Sequence, residues 1–495
     1  MNTVAIGIFL LFVIATLFIT YWSSRRARSA RDFYAAGGTI KPWQNGLAIA
    51  GDYLSAASFL GTVAVFFAFG IDGVLYAVGA AAGWPLVTCL VVERLRKMGH
   101  YTFSDVLCSR LGGKPLRIMT ALTTLCICGM YLVSQMVGAG TLVQVLFHVP
   151  YPLAVCLVGG LMTVYVMFGG MVATTWIQII KASILIFGSV LMGILLLRHF
   201  GYDGTQLLQA AAATRSDPSS LLLPTGLMKD PISAISLALA FAFGPAGMPH
   251  VLMRFFTVKD AGAARRSLVY ASSLIAMFQA LIVLLGFGAI ALVTHDPQFR
   301  DAQGALIGGP NVAVVYLAFQ LGGSVLFGVI AAVTFATILA VVSGLTLAAA
   351  QAVSHDLFKC VLTDGRADEV REVRVSKAAT AVIGAISIGL GLIFQHQNVA
   401  FLATLPLVVA ASACFPILLL AMYWRGLTRR GATAGGLIGL VLSVGLVIAS
   451  PKVWSGALGL AGAPFPYEYP TLISSAAAFG VAWLFSVLDS PRATA

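Results

Sequence analysis

The stretch Gln44–Phe69, QNGLAIAGDYLSAASFLGTVAVFFAF, decides the fold. It is apolar and longer than the roughly 20 residues a helix needs to cross a bilayer. Near its middle stand Gly51, Asp52, Ser55 and Ser58. A carboxylate at membrane depth costs roughly 2.5–3.5 kcal/mol on insertion scales, so such residues are rare and mark function. A glycine beside it permits local unwinding. The carbonyls freed in that way are tolerated only where they face protein, a cavity or an ion. The stretch therefore reads as a broken helix holding a cation next to a solute.

The rest of the chain supports a membrane setting. Hydrophobic residues make up 59% and charged residues 10% of the 495, against about 25% charged in soluble domains. Mean hydropathy is +0.95. The class is all-α integral membrane, with no sizeable soluble domain. Apolar runs give about thirteen spans: 5–22, 46–69, 73–92, 117–146, 152–168, 176–197, 232–253, 268–293, 323–353, 376–394, 399–422, 432–450 and 471–487. The ninth run is too long for one upright helix and calls for a tilt or bend, with a short helix over Asn311–Gln320 ahead of it. The loop His199–Pro231 has room for one short helix in Gln206–Ala213. The run Ala5–Trp22 lacks the charged start and cleavage site of a signal peptide and reads as a retained span.

Lys and Arg fix the orientation. With the N-terminus outside and the C-terminus inside, 25 of them fall on the inner side and 5 outside. Arg254 counts there as an inner-loop charge, and Lys181 as a snorkelling residue at the inner end of span six. The same split accounts for the net charge of +12 without nucleic acid. The seven cysteines are odd in number and lack metal-ligand spacing; Cys126 and Cys128 read as small packing residues.

Span two has a counterpart five spans later. Span seven carries Gly244-Pro245-Ala246-Gly247 followed by Pro249, a pattern that interrupts a helix. Spans two to six start inside and spans seven to eleven start outside. That is the pattern of an inverted repeat, and interrupted segments at matching positions point to a midplane site. Half-helix N-termini suit an anionic solute group. Unwound carbonyls at Gly51 and Leu54, with hydroxyls of span nine such as Thr334, Thr337, Ser343 and Thr346, suit a small hard cation.

Several runs carry a family resemblance. Val166-Met-Phe-Gly169-Gly170-Met-Val-Ala173 is similar to the GG-containing signature of the sodium:solute symporter family. AGDYLSAASFLG (50–61), GWP (83–85), ERLRKMGHYTFSDV (93–106), YLVSQMVGAG (131–140), FGGMVATTWIQIIKA (168–182) and VSHDLF (353–358) resemble its cation/acetate symporter branch. The resemblance spans nearly the whole chain. It implies a leucine-transporter-type 5+5 inverted-repeat core over 46–422 with discontinuous spans two and seven, an extra span at 5–22 and two more over 432–487, all in one transporter domain over 1–495. It implies secondary active uptake of acetate or a similar short monocarboxylate with Na⁺ or H⁺ in a bacterial plasma membrane. No resident cofactor, enzyme chemistry or obligate protein partner follows from it. Lipid and the small anion are the partners.

The cation-binding candidates are thus Gly51, Asp52, Leu54, Thr337 and Ser343, and the solute-binding candidates Ser55, Ser58, Tyr131, Gln135, Gly244 and Gly247. The resemblance places a cation between span two and mid-span nine. Counting back from His355-Asp356 gives Thr337, Ala340 and Val341, so the hydroxyl pair of relatives is missing and Na⁺ and H⁺ both stay open. In span six Thr175-Trp176 stands where many relatives carry an Asp just ahead of the position of Gln178. Ser58 stands where sugar-transporting relatives carry a solute-binding Gln, and a smaller side chain suits a smaller solute. Asp52 fits three roles: cation ligand, proton carrier or buried acceptor for unwound backbone. Unneutralised, it repels an anionic solute, which makes coupling to a cation obligatory. Rival readings are a sodium symporter for proline, pantothenate, urea or a sugar, or a membrane sensor on the same fold. There is no Walker loop, so an ATP-driven pump is not expected.

Overall fold

The computed structural model describes residues 3–24, 40–98, 103–167, 171–223, 227–228 and 230–489. The Phe168–Gly170 part of the family signature, the early basic residues Arg25, Arg26 and Arg28, and Lys229 lie outside them. Among the described residues there is no β-strand, only an isolated bridge between Arg300 and Leu306.

Helix α1 (Thr3–Ser24) precedes the first broken unit. That unit is α2 (Pro42–Tyr53), a π-helical turn Ala57–Gly61, and α3 (Thr62–Phe69). Next come α4 (Gly73–Leu86), running through a π turn into α5 (Val92–Lys97), then α6 (Phe103–Leu111), α7 (Lys114–Phe147), α8 (Tyr151–Met167) and α9 (Met171–His199). The loop that follows holds α10 (Gly204–Ala212), opened by the Asp203 carboxylate accepting from the Thr205 amide at 2.8 Å. The second broken unit is α11 (Pro231–Gly247) and α12 (Pro249–Met253). After it come α13 (Ala261–Val293), α14 (Ala313–Gln351), α15 (Glu369–Ile393), and α16 (Val399–Val409) leading by a π turn into α17 (Phe415–Tyr423). The chain closes with α18 (Arg429–Ile448), the short α19 (Pro451–Trp454) and α20 (Thr471–Asp489).

By length and composition, ten described stretches are apolar and long enough to cross a membrane. Thr3–Ala15 and Tyr151–Val164 are shorter apolar helices. The stretch Ala57–Lys97 counts once there, yet Gly70 (φ 60°) and the turn Gly70–Asp72 fold it back on itself. A methyl group on Gly73 would come 2.6 Å from the Phe66 ring, which shows how tightly the two arms lie together. The count of thirteen spans stays an expectation of the sequence. The long ninth run does bend: Gly322 and Gly323 leave helical geometry, splitting a short leading helix from the rest of α14.

Helix α14 is the buried axis of the bundle, whereas α15 shows most of its surface. Lipid supplies no hydrophobic force between helices, so close backbone approach must hold them. Four such approaches set out the repeat. In α2, a methyl on Gly51 would lie 2.6 Å from the Gln178 carbonyl of α9. In α11, one on Gly247 would lie 2.6 Å from the Ala410 carbonyl at the end of α16. Each broken unit therefore rests on the fifth span of its own repeat. Gly46 of α2 lies against the Ser267 carbonyl of α13, and Gly83 of α4 against the Phe241 carbonyl of α11. Each broken unit thus also touches the second span of the other repeat. This reciprocal pattern is what a five-plus-five inverted repeat requires.

The span-seven break differs in place from the expectation. Helix α11 runs through Gly244, Pro245 and Gly247, and the chain leaves helix at Met248 (φ −79°, ψ 114°). Pro245 lacks the amide that would bond the Phe241 carbonyl. Gly83 packs on that carbonyl, so the missing bond does not stop the helix.

Candidate functional site

Helix α2 ends where Leu54 adopts φ −71°, ψ 78°. The Ser55 amide turns away from the Gly51 carbonyl it would meet in a helix and bonds the Tyr53 carbonyl at 2.8 Å. It also donates to Ser58 Oγ at 2.9 Å. Ser58 Oγ in turn donates to the carbonyls of Ser55 and Tyr53, at 3.0 and 3.3 Å. Ser58 therefore stitches the break, and the Gly51 carbonyl is left to other partners.

A cavity opens beside this break, with Tyr53, Ser55, Ser58, Tyr131, Gln279 and Thr404 as polar lining and Phe241 and Met248 as part of its apolar wall. Ser55 Oγ and Tyr131 Oη lie 3.1 Å apart. Gln279 of α13 is buried, and neither its amide nitrogen nor its oxygen has a hydrogen-bond partner among the described residues. The free volume is about 40 Å³. A water takes roughly 10–15 Å³ on this measure, so the space fits about three or four heavy atoms.

Gln135, Gly244 and Gly247 are not part of this lining. Gln135 points elsewhere on α7, its amide on Ser134 Oγ at 3.1 Å. The two glycines serve packing against α16: a methyl on Gly244 would come 2.8 Å from Leu407. It is Met248, at the break itself, that reaches the cavity.

On the other side of the break lies a charge cluster. Asp52 and Arg254 form a buried ion pair, Nε to Oδ2 at 2.6 Å and Nη2 to Oδ1 at 3.3 Å. The third guanidinium nitrogen donates to Thr175 Oγ1 of α9 at 2.6 Å. The Arg254 carbonyl accepts from Asn45 Nδ2 at 3.1 Å and from Thr257 Oγ1 at 2.8 Å, which seats the turn after α12 against α2. Arg254 is thus not a loop charge but the counter-ion of Asp52. The sequence reading left the neutralising of Asp52 to a transported cation; here Arg254 supplies it.

Lys181 is corrected too. A snorkelling lysine ends in water, yet only 3% of this residue is exposed. Its Nζ donates to the Thr337 carbonyl of α14 at 3.2 Å. Three residues earlier, Gln178 Nε2 donates to the Ala340 carbonyl at 3.1 Å. The candidate hydroxyls Thr337 and Ser343 donate to carbonyls of their own helix, Val333 at 2.7 Å and Ala340 at 2.9 Å. Asp52 faces this row, since a methyl on Gly344 would meet its Oδ1 at 3.9 Å. His250 of α12, with its ring 5.8 Å from that of Tyr131, completes the surroundings.

The structure therefore sets Asp52 against α14 at Gly344, next to Ser343 and about two turns from Thr337, on one side of the break, and Ser55, Ser58 and Tyr131 on the other. Gly51 and Leu54 form the break between them. The chemistry available is hydrogen-bond donation to a small solute in one chamber and a compensated charge cluster in the next. Sequence reasoning missed Gln279, whose signal was a lone amide in an otherwise apolar run. It also missed the role of Arg254, an Arg two turns from a predicted break.

Solved transporters share this architecture. A Na⁺-coupled sialic acid symporter in a substrate-bound outward-open state aligns with a TM-score of 0.78 at 16% identity, covering 99% of this chain and 98% of that one. Mhp1, a nucleobase-cation-symport-1 family transporter in a closed conformation, aligns at 0.53 and 14% identity over 92% and 93%. An Eremococcus coleocola manganese transporter aligns at 0.50 and 16% over 94% and 99%. At these identities the likeness speaks for the leucine-transporter-type fold alone. The family model of the sodium:solute symporters matches residues 33–439. With most of the chain matched and both broken units inside the match, the protein belongs to the sodium:solute symporter family.

Proposed function

We propose that this protein is a secondary active symporter that takes up acetate or a similar short-chain monocarboxylate together with a cation, Na⁺ or H⁺, by alternating access. The observation that carries the solute reading is the cavity beside the broken helix. It holds about three or four heavy atoms on the volume scale above. It offers the paired hydroxyls of Ser55 and Tyr131 and the free amide of Gln279, and its lining includes no carboxylate. Its apolar wall of Phe241 and Met248 suits a short alkyl group. The π-helical turn that resumes at Ala57 starts at the cavity and adds the positive end of a helix.

The same reading makes residues 1–495 one transport unit in a bacterial plasma membrane. The N-terminus lies outside, and the end of the bundle carrying Arg94, Arg110 and Arg425 faces the cytoplasm. The test is counterflow of labelled acetate in proteoliposomes, corrected for protein-free liposomes because acetic acid crosses lipid unaided. Unlabelled propionate should displace the label and proline should not. Displacement by proline but not propionate would sink the monocarboxylate reading.

A further inference from the structure

We propose that the ammonium of Lys181 is a tethered cation. It fills the space between the broken helix and α14 where the family resemblance places a cation, so the protein holds no free Na⁺ there and moves its solute without it. This rests on the symporter reading above and narrows its coupling ion.

Three observations carry it. First, the carbonyl row of α14 that faces the break is already occupied. Lys181 Nζ donates to the Thr337 carbonyl and Gln178 Nε2 to the Ala340 carbonyl, at 3.2 and 3.1 Å, one turn apart on both helices. Gly51 lies on the Gln178 backbone and near its side-chain oxygen, so Gln178 stands between the unwound segment and α14. A Na⁺ ion drawing on the same carbonyls would have to displace both side chains.

Second, the carboxylate of the cluster is already paired without an ion. Asp52 is the carboxylate of the cluster, and Arg254 holds both of its oxygens. Counting Lys181, one negative and two positive groups leave the cluster net positive. A Na⁺ entering it would meet an ammonium and a guanidinium with no second carboxylate to hold it, whereas a net positive cluster favours an anionic solute next door.

Third, Lys181 is buried and its ammonium turns to α14 rather than to water. Its stem lies among Ile177, Ile184 and the Phe12 ring of α1, an apolar setting. The charges on α13 nearest in sequence to the cluster, Arg265 and Arg266, are exposed at the end of that helix. The lysine thus reaches inward to the cation position rather than outward to water.

The test compares the purified protein in NaCl and in choline chloride of equal ionic strength. Melting is followed in detergent, and initial uptake of labelled acetate is followed in proteoliposomes. The parent should melt and transport alike in both salts. Lys181→Ala and Lys181→Met, the second keeping the stem volume, empty the position; their melting temperature should rise with NaCl and any uptake should become Na⁺-dependent. A saturable Na⁺ stabilisation of the parent, or parent uptake only in Na⁺, overturns the proposal. So does a folded Lys181→Met protein that ignores Na⁺. If neither variant folds, the parent comparison decides. If the parent moves no acetate in either salt, the solute reading has failed, and the melting comparison still judges the cation position.

Discussion

Asp52 and Arg254 show how one pairing changes the meaning of a residue. Removing one partner of a buried ion pair costs about 3–5 kcal/mol because the other charge is left stranded. Asp52→Asn should therefore lower the melting temperature sharply and abolish uptake. Adding Arg254→Met should restore much of the melting temperature but not transport; a double variant no more stable than the single would show that the pair is not the cause. Gln279 makes the opposite forecast. Its amide bonds nothing among the described residues, so Gln279→Leu should leave melting nearly unchanged. A hydrogen bond to a charged group is worth about 1.5–3 kcal/mol, so the variant should weaken solute competition in counterflow by about 10- to 100-fold. The sequence exposed Asp52 because a carboxylate in an apolar run is conspicuous. It hid Arg254 because an arginine near a span end reads equally well as topology. Across a separation of 202 positions, the chain carries no local sign that the two meet.

At the scale of elements, the glycine contacts do the joining. A methyl on Gly83 would overlap the Phe241 carbonyl, which belongs to backbone and cannot swing aside. Gly83→Ala should cost about 1–3 kcal/mol, as overpacking does. Gly129→Ala is the matched control: nothing lies within 4 Å of that position, and the helix should gain about 0.5–1 kcal/mol from the lost backbone freedom. Equal melting of the two variants would refute the assignment of Gly83 as a contact glycine. The bend at Gly322–Gly323 and the short helix α10 were legible from run length and composition. The span-seven break was legible only to within a few residues. Periodicity shows that Pro245 removes a bond; it does not show that a neighbouring glycine covers the freed carbonyl.

Over the whole molecule, the charged end is held together by paired groups rather than by a loose basic fringe. Arg117 of α7 bonds Asp105 of α6 and Asp356, each at 3.0 Å. Glu372 of α15 takes Lys359 at 2.7 Å and His355 at 3.1 Å. Arg117→Met would remove the guanidinium that bridges the buried Asp356 and Asp105, leaving His355, 4.0 Å from Asp105, to face both carboxylates. The expected loss is about 3–5 kcal/mol, read as a lower melting temperature; unchanged melting would show that this end is not bound together through Arg117. In the sequence these residues were counted as topology and linker, since charge counts say which side a loop faces and nothing of which charges meet. The Asp52–Arg254 pair has a mechanical corollary. It joins the first half of one broken unit to the turn just past the other. Any rocking motion that parts these two segments must first open a buried ion pair, and any motion that spares it must carry both as one lever. The two hinges of the repeat are therefore geared to each other, and the stroke of one sets the stroke of the other.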